Sequence, residues 1–129
     1  MIQYFERVRF EYHPENAGTQ YEVLLGLMGV ELGFREASLP APAAPADRPW
    51  YFAATGHTIN PGFRTFWRDQ GALYTFGYPI GPAFTDKNGR TVQYFERVRL
   101  ELHTENADSE YAVLLGLLGE ELLMKQPAR

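Results

Sequence analysis

The sequence contains an internal repeat, and this feature constrains the fold more than any other. Residues 2–32 align with residues 92–122 at a constant offset of 90, and of these 31 positions 21 are identical and ten differ. Most of the differences are mild, such as Phe10 against Leu100. A repeat of this kind is typical of stacked or symmetry-related units. We therefore expect two copies of one local structure.

The segment between the copies has two parts. Residues 38–49 form a Pro/Ala tract, which predicts a semi-rigid spacer. Residues 50–90 form a block that has no counterpart before the first copy. The chain therefore divides into a truncated repeat at 1–36, a Pro/Ala linker at 37–49, a complete repeat at 50–124 and a tail at 125–129. This division amounts to one and a half repeats per chain.

Local patterns in the complete repeat predict short elements. Asn60-Pro61 before residues 62–70 and Gly71 after them are typical of a capped helix. Asn88-Gly89 predicts a tight turn between a strand at 84–86 and a strand at 91–103. Residues 73–76 read as a further short strand. The predicted fold class is α+β, with a β-hairpin or antiparallel sheet packed by short helices.

The repeated segment itself predicts one long strand followed by a helix. The first strand runs from Ile2 to Tyr12, and Thr19 with Glu22 forms a candidate capping box. The helical stripe in the second copy consists of Tyr111, Leu114, Leu115, Leu118 and Leu122. Two glycine pairs, Gly26/Gly29 and Gly116/Gly119, indicate either close backbone packing or a helix that begins later.

The first copy has a long strand without a hairpin mate. An unpaired strand rich in aromatic residues is an adhesive edge. We expect residues 2–12 to dock on the sheet of the complete repeat, either within one chain or by exchange between two chains. A homodimer formed through residues 2–12 is therefore one predicted partner state.

A glutamate recurs on the apolar face of the predicted strand, as Glu6 and as Glu96. A β-bulge near Phe95 would exchange the two faces and expose the carboxylate. A buried glutamate would instead need an arginine partner. We accordingly predict structural ion pairs that involve Glu6, Glu96, Arg97 and Arg7. A catalytic carboxylate is the remaining alternative, but no second acid or histidine stands at a convincing spacing.

Two rows of alternating charge also occur in the repeat. Glu11, His13 and Glu15 share one strand face, and Glu101, His103 and Glu105 repeat the arrangement. Such a set could hold a divalent metal. Arginines next in each row favour a solvated charge ladder with cross-strand ion pairs, so we predict no metal site and no cofactor.

Composition excludes several classes of function. The 129 residues carry a net charge of −4 with a pI near 5.3, which argues against a nucleic-acid binder. The chain has no cysteine, and we find no signal peptide, no segment that could span a bilayer and none of the usual catalytic motifs. A non-enzyme is the prediction.

Several motifs taken in order carry a family resemblance. Thr55-Gly56-His57-Thr58, Gly62-Phe63-Arg64, Phe66-Trp67, the 76–80 stretch FGYPI and the 92–97 stretch VQYFER resemble repeat modules of exported and cell-envelope proteins of Chloroflexi-type bacteria. They are more distantly similar to LGFP repeats, from which this chain departs in reading Phe-Gly-Tyr-Pro for Leu-Gly-Phe-Pro. The resemblance covers about residues 50–124 and the truncated first copy.

The resemblance implies a non-catalytic module of a secreted or cell-envelope protein that binds cell-wall polysaccharide. Sugars stack on aromatic faces, so the candidate ligand-binding residues are Trp50, Tyr51, His57 and Tyr78. The alternative function is a structural or oligomerisation module that pairs through the N-terminal strand.

Overall fold

The computed structural model describes residues 1–109 and 112–125. Over these residues the chain forms four α-helices and three antiparallel sheets of three, two and four strands. The predicted α+β class is therefore confirmed.

The helices and strands follow the repeat closely. The first copy forms β1 (Ile2–Tyr4), β2 (Arg9–Tyr12), β3 (Val23–Leu25) and α1 (Met28–Glu31). The middle block forms β4 (Tyr51–Phe52), β5 (His57–Thr58), α2 (Arg64–Asp69), α3 (Ala72–Phe76) and β6 (Phe84–Thr85). The second copy forms β7 (Thr91–Tyr94), β8 (Arg99–Leu102), β9 (Val113–Leu115) and α4 (Leu118–Lys125).

The two copies share one sheet topology and register. Strands β1, β2 and β3 pair in that order, and β7, β8 and β9 do the same. Gln3 lies opposite Phe10 in the first copy, and Gln93 lies opposite Leu100 in the second. The sheet of the second copy has a fourth strand, because β6 pairs with the outer edge of β7.

The prediction of one strand from Ile2 to Tyr12 is wrong, because the chain reverses within it. The Phe5 N–H donates to the Val8 carbonyl at 2.8 Å, and the Phe95 N–H donates to the Val98 carbonyl at the same distance. Each copy therefore contains a tight turn, at residues 5–8 and 95–98, between two short strands. No Gly, Pro, Asn or Asp marks these turns, so the sequence carries none of the usual turn signals.

The repeated helices begin later than the sequence pattern suggested. Leu114 and Leu115, which were predicted to be helical, belong to β9, and α4 begins at Leu118. The capping box is also wrong: the Thr19 hydroxyl donates to the Asn16 carbonyl, and Glu22 accepts from the Gly18 N–H within a turn. Tyr111 lies outside the described residues.

The predicted helix at 62–70 is confirmed as a 3-10 turn that continues into α2. Its cap is Asn60, whose side chain accepts a hydrogen bond from the Gly62 N–H at 2.9 Å. The strand predicted at 73–76 is wrong, since these residues form α3. The Phe76 ring stacks on Phe66 at 5.5 Å, and this packing against α2 overrides the strand preference of the segment.

Two apolar clusters hold the molecule together. The larger one lies between the four-stranded sheet of the second copy and the middle block. Val8 and Leu25 of the first copy pack against it. Its buried residues are Ile59, Phe63, Trp67, Phe76, Phe95, Val98, Leu100 and Val113. The smaller cluster joins the helices of the two copies through Met28, Leu118 and Leu122. Both clusters therefore include residues from both copies.

Each copy places its turn against the beginning of the other copy's helix. The Glu96 carbonyl accepts from the N–H groups of Gly29 and Val30 at 3.0 and 3.4 Å, and the Glu6 carbonyl accepts from the Glu120 N–H at 3.0 Å. This reciprocal docking takes place within one chain. Within the chain it corrects the expectation that residues 2–12 join the other sheet, because β1, β2 and β3 form a sheet of their own. Pairing of residues 2–12 between two chains stays a prediction.

The reciprocal docking explains one glycine of each pair. A Cβ added at Gly29 would overlap the Phe95 carbonyl oxygen, and a Cβ added at Gly119 would overlap the Phe5 carbonyl oxygen. Close backbone packing, one of the two interpretations left open by the sequence, is therefore found at both positions. The later helix start is found as well.

We predict that Gly29→Ala and Gly119→Ala each lower the free energy of unfolding by about 3 kcal/mol, because the helix must move away from a rigid carbonyl group. Urea denaturation measures the change. Gly62→Ala is the matched control, since its added methyl would meet the nearest atoms at 3.2 and 3.6 Å. A loss at Gly29 or Gly119 no larger than that of the control would contradict the docking geometry.

Candidate functional site

The turn at 95–98 contacts its own repeat as well as the other copy. The Glu96 carboxylate accepts a hydrogen bond from the Tyr78 N–H at 2.9 Å, and the Glu96 N–H donates to the Tyr78 carbonyl at 3.0 Å. A Cβ at Gly77, whose φ is +80°, would meet the Glu96 side chain. Glu96 therefore connects the Gly-Tyr-Pro turn of the middle block to α1 of the first copy.

Gln93 is a second connecting side chain, and it is fully buried. Its amide oxygen accepts from the Asn60 N–H at 2.9 Å. Its amide nitrogen donates to the carbonyls of Thr58 and Gly81 at 2.9 and 3.0 Å. One side chain thus satisfies three main-chain groups of the middle block, which would otherwise be buried without partners.

The structure gives different roles to the four residues predicted to form structural ion pairs. Among the described residues, none of Glu6, Glu96, Arg97 and Arg7 takes part in an ion pair. Arg97 donates to the Leu25 carbonyl, and Arg7 donates to the Leu115 carbonyl. The prediction is wrong because main-chain groups exposed at the ends of β3 and β9 supply the partners.

Two of the predicted ligand-binding residues contact other parts of the chain: Trp50 packs on the core, and Tyr51 bonds to the linker. Trp50 packs against the larger apolar cluster, and the Arg64 guanidinium lies 5.6 Å from its ring centroid. The Tyr51 hydroxyl donates to the Leu39 carbonyl at 2.7 Å. Both side chains are half-buried and already have partners within the chain.

Of the other two predicted residues, His57 belongs to β5, and Tyr78 contacts β4. His57 is buried with Nε2 at 3.1 Å from the Glu36 carbonyl oxygen, and its Nδ1 has no hydrogen-bond partner among the described residues. The ring of Tyr78 packs on Phe52 at 5.4 Å. The four residues therefore lie in or next to β4 and β5, but they do not form one exposed aromatic surface.

The two charge rows form ladders of ion pairs on the outer face of each sheet. His103 lies between Glu101 and Glu105, at 3.1 and 2.9 Å, and Arg99 pairs with Glu101 at 2.9 Å. His13 has the same neighbours in the first copy, at 3.3 Å from Glu11 and 2.8 Å from Glu15. The predicted ladder of charged residues is found in both copies, but its contacts run along each strand rather than across strands. Arg9 is buried rather than solvated.

Each ladder ends on the helix of its own copy. Arg99 bonds to Glu121 of α4 at 3.0 Å and reaches the Tyr94 hydroxyl at 3.3 Å. Burial alone would lower the pKa of Arg99, but Tyr94 and Glu121 hold it above its ordinary value. The hydrogen bond that Arg9, the equivalent residue, donates to Glu31 of α1 does most to raise the pKa of Arg9. Both arginines stay charged and tie sheet to helix.

An open groove of about 710 Å³ follows the outer face of the four-stranded sheet, β6 to β9. Its aromatic wall consists of Phe84 and Tyr94, whose rings stack with their centroids 5.9 Å apart. Arg7, Lys87, Arg90 and Glu101 add charged groups to its lining. Sequence reasoning missed this groove, because Phe84 comes from a segment outside the aligned repeat.

Sequence reasoning also missed Gln93. Alternation along the strand placed it on the face opposite the apolar residues, whereas the turn at 95–98 and the middle block bury it. The available signal was the run Gln-Tyr-Phe-Glu-Arg, which is identical in the two copies at residues 3–7 and 93–97.

Comparison with known proteins identifies no relative. No family model, no curated protein and no solved structure matches the chain. Of the helices in residues 1–109 and 112–125, none combines the length and apolar character needed to cross a bilayer. Over the same residues, no group of three or more His, Asp or Glu side chains is arranged to hold a metal ion.

We predict that Gln93→Ala lowers the free energy of unfolding by about 3 kcal/mol, because it leaves buried main-chain groups unpaired and a cavity beside them. Gln3→Ala, at the equivalent exposed position, is the matched control, and its expected change is within about 0.5 kcal/mol. Chemical denaturation of the two variants measures the difference. Equal losses would contradict the role of Gln93.

Proposed function

We propose that this chain is a non-catalytic structural module that joins repeat units into a rigid assembly. The reciprocal docking of the two copies is the observation that carries this proposal. Two hydrogen-bonded turns, two helix beginnings and two close-packed glycines meet in matching positions, although the copies are separated by the whole middle block. The resemblance to repeat modules of exported and envelope proteins favours a location in such a protein.

The contacts of the candidate functional residues support a structural role. Trp50, Tyr51, His57 and Tyr78 face the linker, the core or the Gly-Tyr-Pro turn. The histidines of the charge ladders lie between carboxylates of their own strands. The chemistry of these side chains is therefore directed at the chain itself, as expected for a module whose task is to hold its parts in place.

Cleavage of the linker tests the proposal. A protease site inserted between Ala43 and Ala44, both exposed, allows the purified chain to be cut after folding. We predict that the fragment ending at Ala43 stays bound to the remainder during size-exclusion chromatography at micromolar concentration, because docking involves both copies. The same experiment with Gly119→Ala is the control and should release the fragment. Separation of the unmutated fragments would contradict the proposal.

Binding of cell-wall polysaccharide is a second candidate function, and the groove beside Phe84 is the observation that favours it. Phe84 stacks on Tyr94 and is still 41% exposed, beside charged groups that could bond to sugar hydroxyls. The four ligand-binding residues predicted from the sequence lie elsewhere. A glycan role would therefore depend on a different part of the surface.

We predict that, if this second function holds, the chain co-sediments with isolated bacterial cell wall and that Phe84→Ala reduces retention about tenfold, since one stacking platform is lost. Phe10→Ala removes an equally exposed aromatic ring from the other sheet and is the matched control. Equal retention of both variants, or no retention of the unmutated chain, would rule out binding at this groove.

A further inference from the structure

The first copy exposes a surface whose counterpart in the second copy is covered by the middle block. We propose that this surface, which we name the acceptor face and define by Gln3, Phe5, Glu6, Phe10 and Val23, binds a segment of a further repeat unit with the chemistry of residues 50–86. The inference rests on the proposed structural function and names the partner that such a module would take.

The apolar part of the acceptor face is covered in the second copy and uncovered in the first. The exposed fractions are 43% for Phe5 against 0% for Phe95, 41% for Phe10 against 0% for Leu100, and 46% for Val23 against 9% for Val113. The covering residues in the second copy come from the middle block, chiefly Ile59, Phe63 and Trp67. The first copy therefore exposes the side chains that this block would bury.

The polar part of the acceptor face is vacant as well. Gln3 and Glu6 are identical to Gln93 and Glu96, but both are exposed and their side chains have no hydrogen-bond partner within residues 1–109 and 112–125. In the second copy the same two side chains bond to the main chain of the middle block. Recognition by Gln3 and Glu6 would accordingly require main-chain groups in the geometry of that block.

The edge of the first sheet is free at the position that β6 occupies in the second. Strand β6 pairs with β7 through Phe84 and Val92, whereas β1 is the outermost strand of its own sheet. Ile2, the equivalent of Val92, is correspondingly exposed. One continuous segment, residues 50–86, supplies the second copy with an edge strand, an apolar cover and polar contacts. Among the described residues, the first copy has none of the three.

Helix α3 borders the acceptor face without covering it. The Tyr74 hydroxyl donates to the Val23 carbonyl at 2.8 Å. A groove of about 310 Å³ remains between α3 and the apolar residues of β2 and β3, with Phe10 and Val23 in its lining. The face therefore keeps both an open apolar groove and an open strand edge for the incoming segment.

Extension of the full chain tests the inference. Residues 38–91 are placed ahead of Ile2 in place of Met1, so that both copies follow the same segment. We predict that the amide hydrogen of Ile2, which faces the free edge, then exchanges as slowly as that of Val92, whereas it exchanges fast in the unextended chain. Fast exchange of the Ile2 amide in the extended chain would overturn the proposal, as would loss of the fold of residues 92–125.

A charge-removing variant provides the matched control. Glu6→Ala should leave the unextended chain unchanged and should lower the folding equilibrium constant of the extended chain at least about tenfold, since it removes a hydrogen bond to a carboxylate. Glu96→Ala should lower the folding equilibrium constant of both the extended and the unextended chain. An extended chain that tolerates Glu6→Ala would overturn the proposal.

Other occupants and a failure of the proposed function give different results. A dimer of the unextended chain that Phe10→Asp dissociates would assign the face to a second copy, and protection of the Ile2 amide by soluble cell-wall fragments would assign it to a glycan. Either result overturns the inference. Exchange of the Glu120 amide reports on reciprocal docking separately, so fast exchange there would reject the proposed function. Slow exchange at Glu120 with fast exchange at Ile2 would reject the acceptor face alone.

Discussion

The contacts of the tight turn at Phe95–Val98 determine how the rest of the molecule is arranged. Its central residue, Glu96, bonds to the Tyr78 main chain of the middle block through both its carboxylate and its N–H, and its carbonyl accepts from the beginning of α1. Hydrogen bonds from main-chain groups to a carboxylate are stronger than neutral ones, and a half-buried site shields them from water. Glu96 is therefore an architectural residue.

The equivalent turn at Phe5–Val8 shows what the same sequence does without the middle block. Its Glu6 carbonyl still accepts from α4, so the contact between copies is preserved. Glu6 and Phe5 are exposed, because no segment within residues 1–109 and 112–125 covers them. Identical residues thus form the same backbone structure in two environments, and the environment decides which of them are buried. The unequal surroundings make one copy part of a core and the other an open surface.

The sequence predicted those features that depend on local chemistry. Asn60-Pro61 and Gly71 marked the helix at 62–70, and Asn88-Gly89 marked the hairpin between β6 and β7. The alternating Glu and His residues predicted the charge ladders. The repeat itself, together with these elements, was sufficient for the α+β class and for the expectation of two similar units.

The features that sequence analysis missed depend on contacts between segments distant in sequence. The turns at 5–8 and 95–98 have no turn-forming residue, and they are stabilised by the other copy's helix. The burial of Gln93 was not predicted, because alternation predicts only which face a residue occupies, whereas burial depends on what covers that face. The predicted ion pairs failed for a similar reason, since Glu96, Arg97 and Arg7 bond to main-chain groups of segments distant in sequence.

The central claim is that the two copies form one cooperative unit through reciprocal docking. Site-resolved amide hydrogen exchange of the full chain tests this claim most directly, because it measures the opening free energy at each end of the interface. The account predicts that the Gly29 and Glu120 amides, which bond to the opposite turns, exchange with the same opening free energy, equal to that of global unfolding. A much lower opening free energy at Glu120, with slow exchange maintained through β7 and β8, would mean that the first copy opens independently, and would contradict the account.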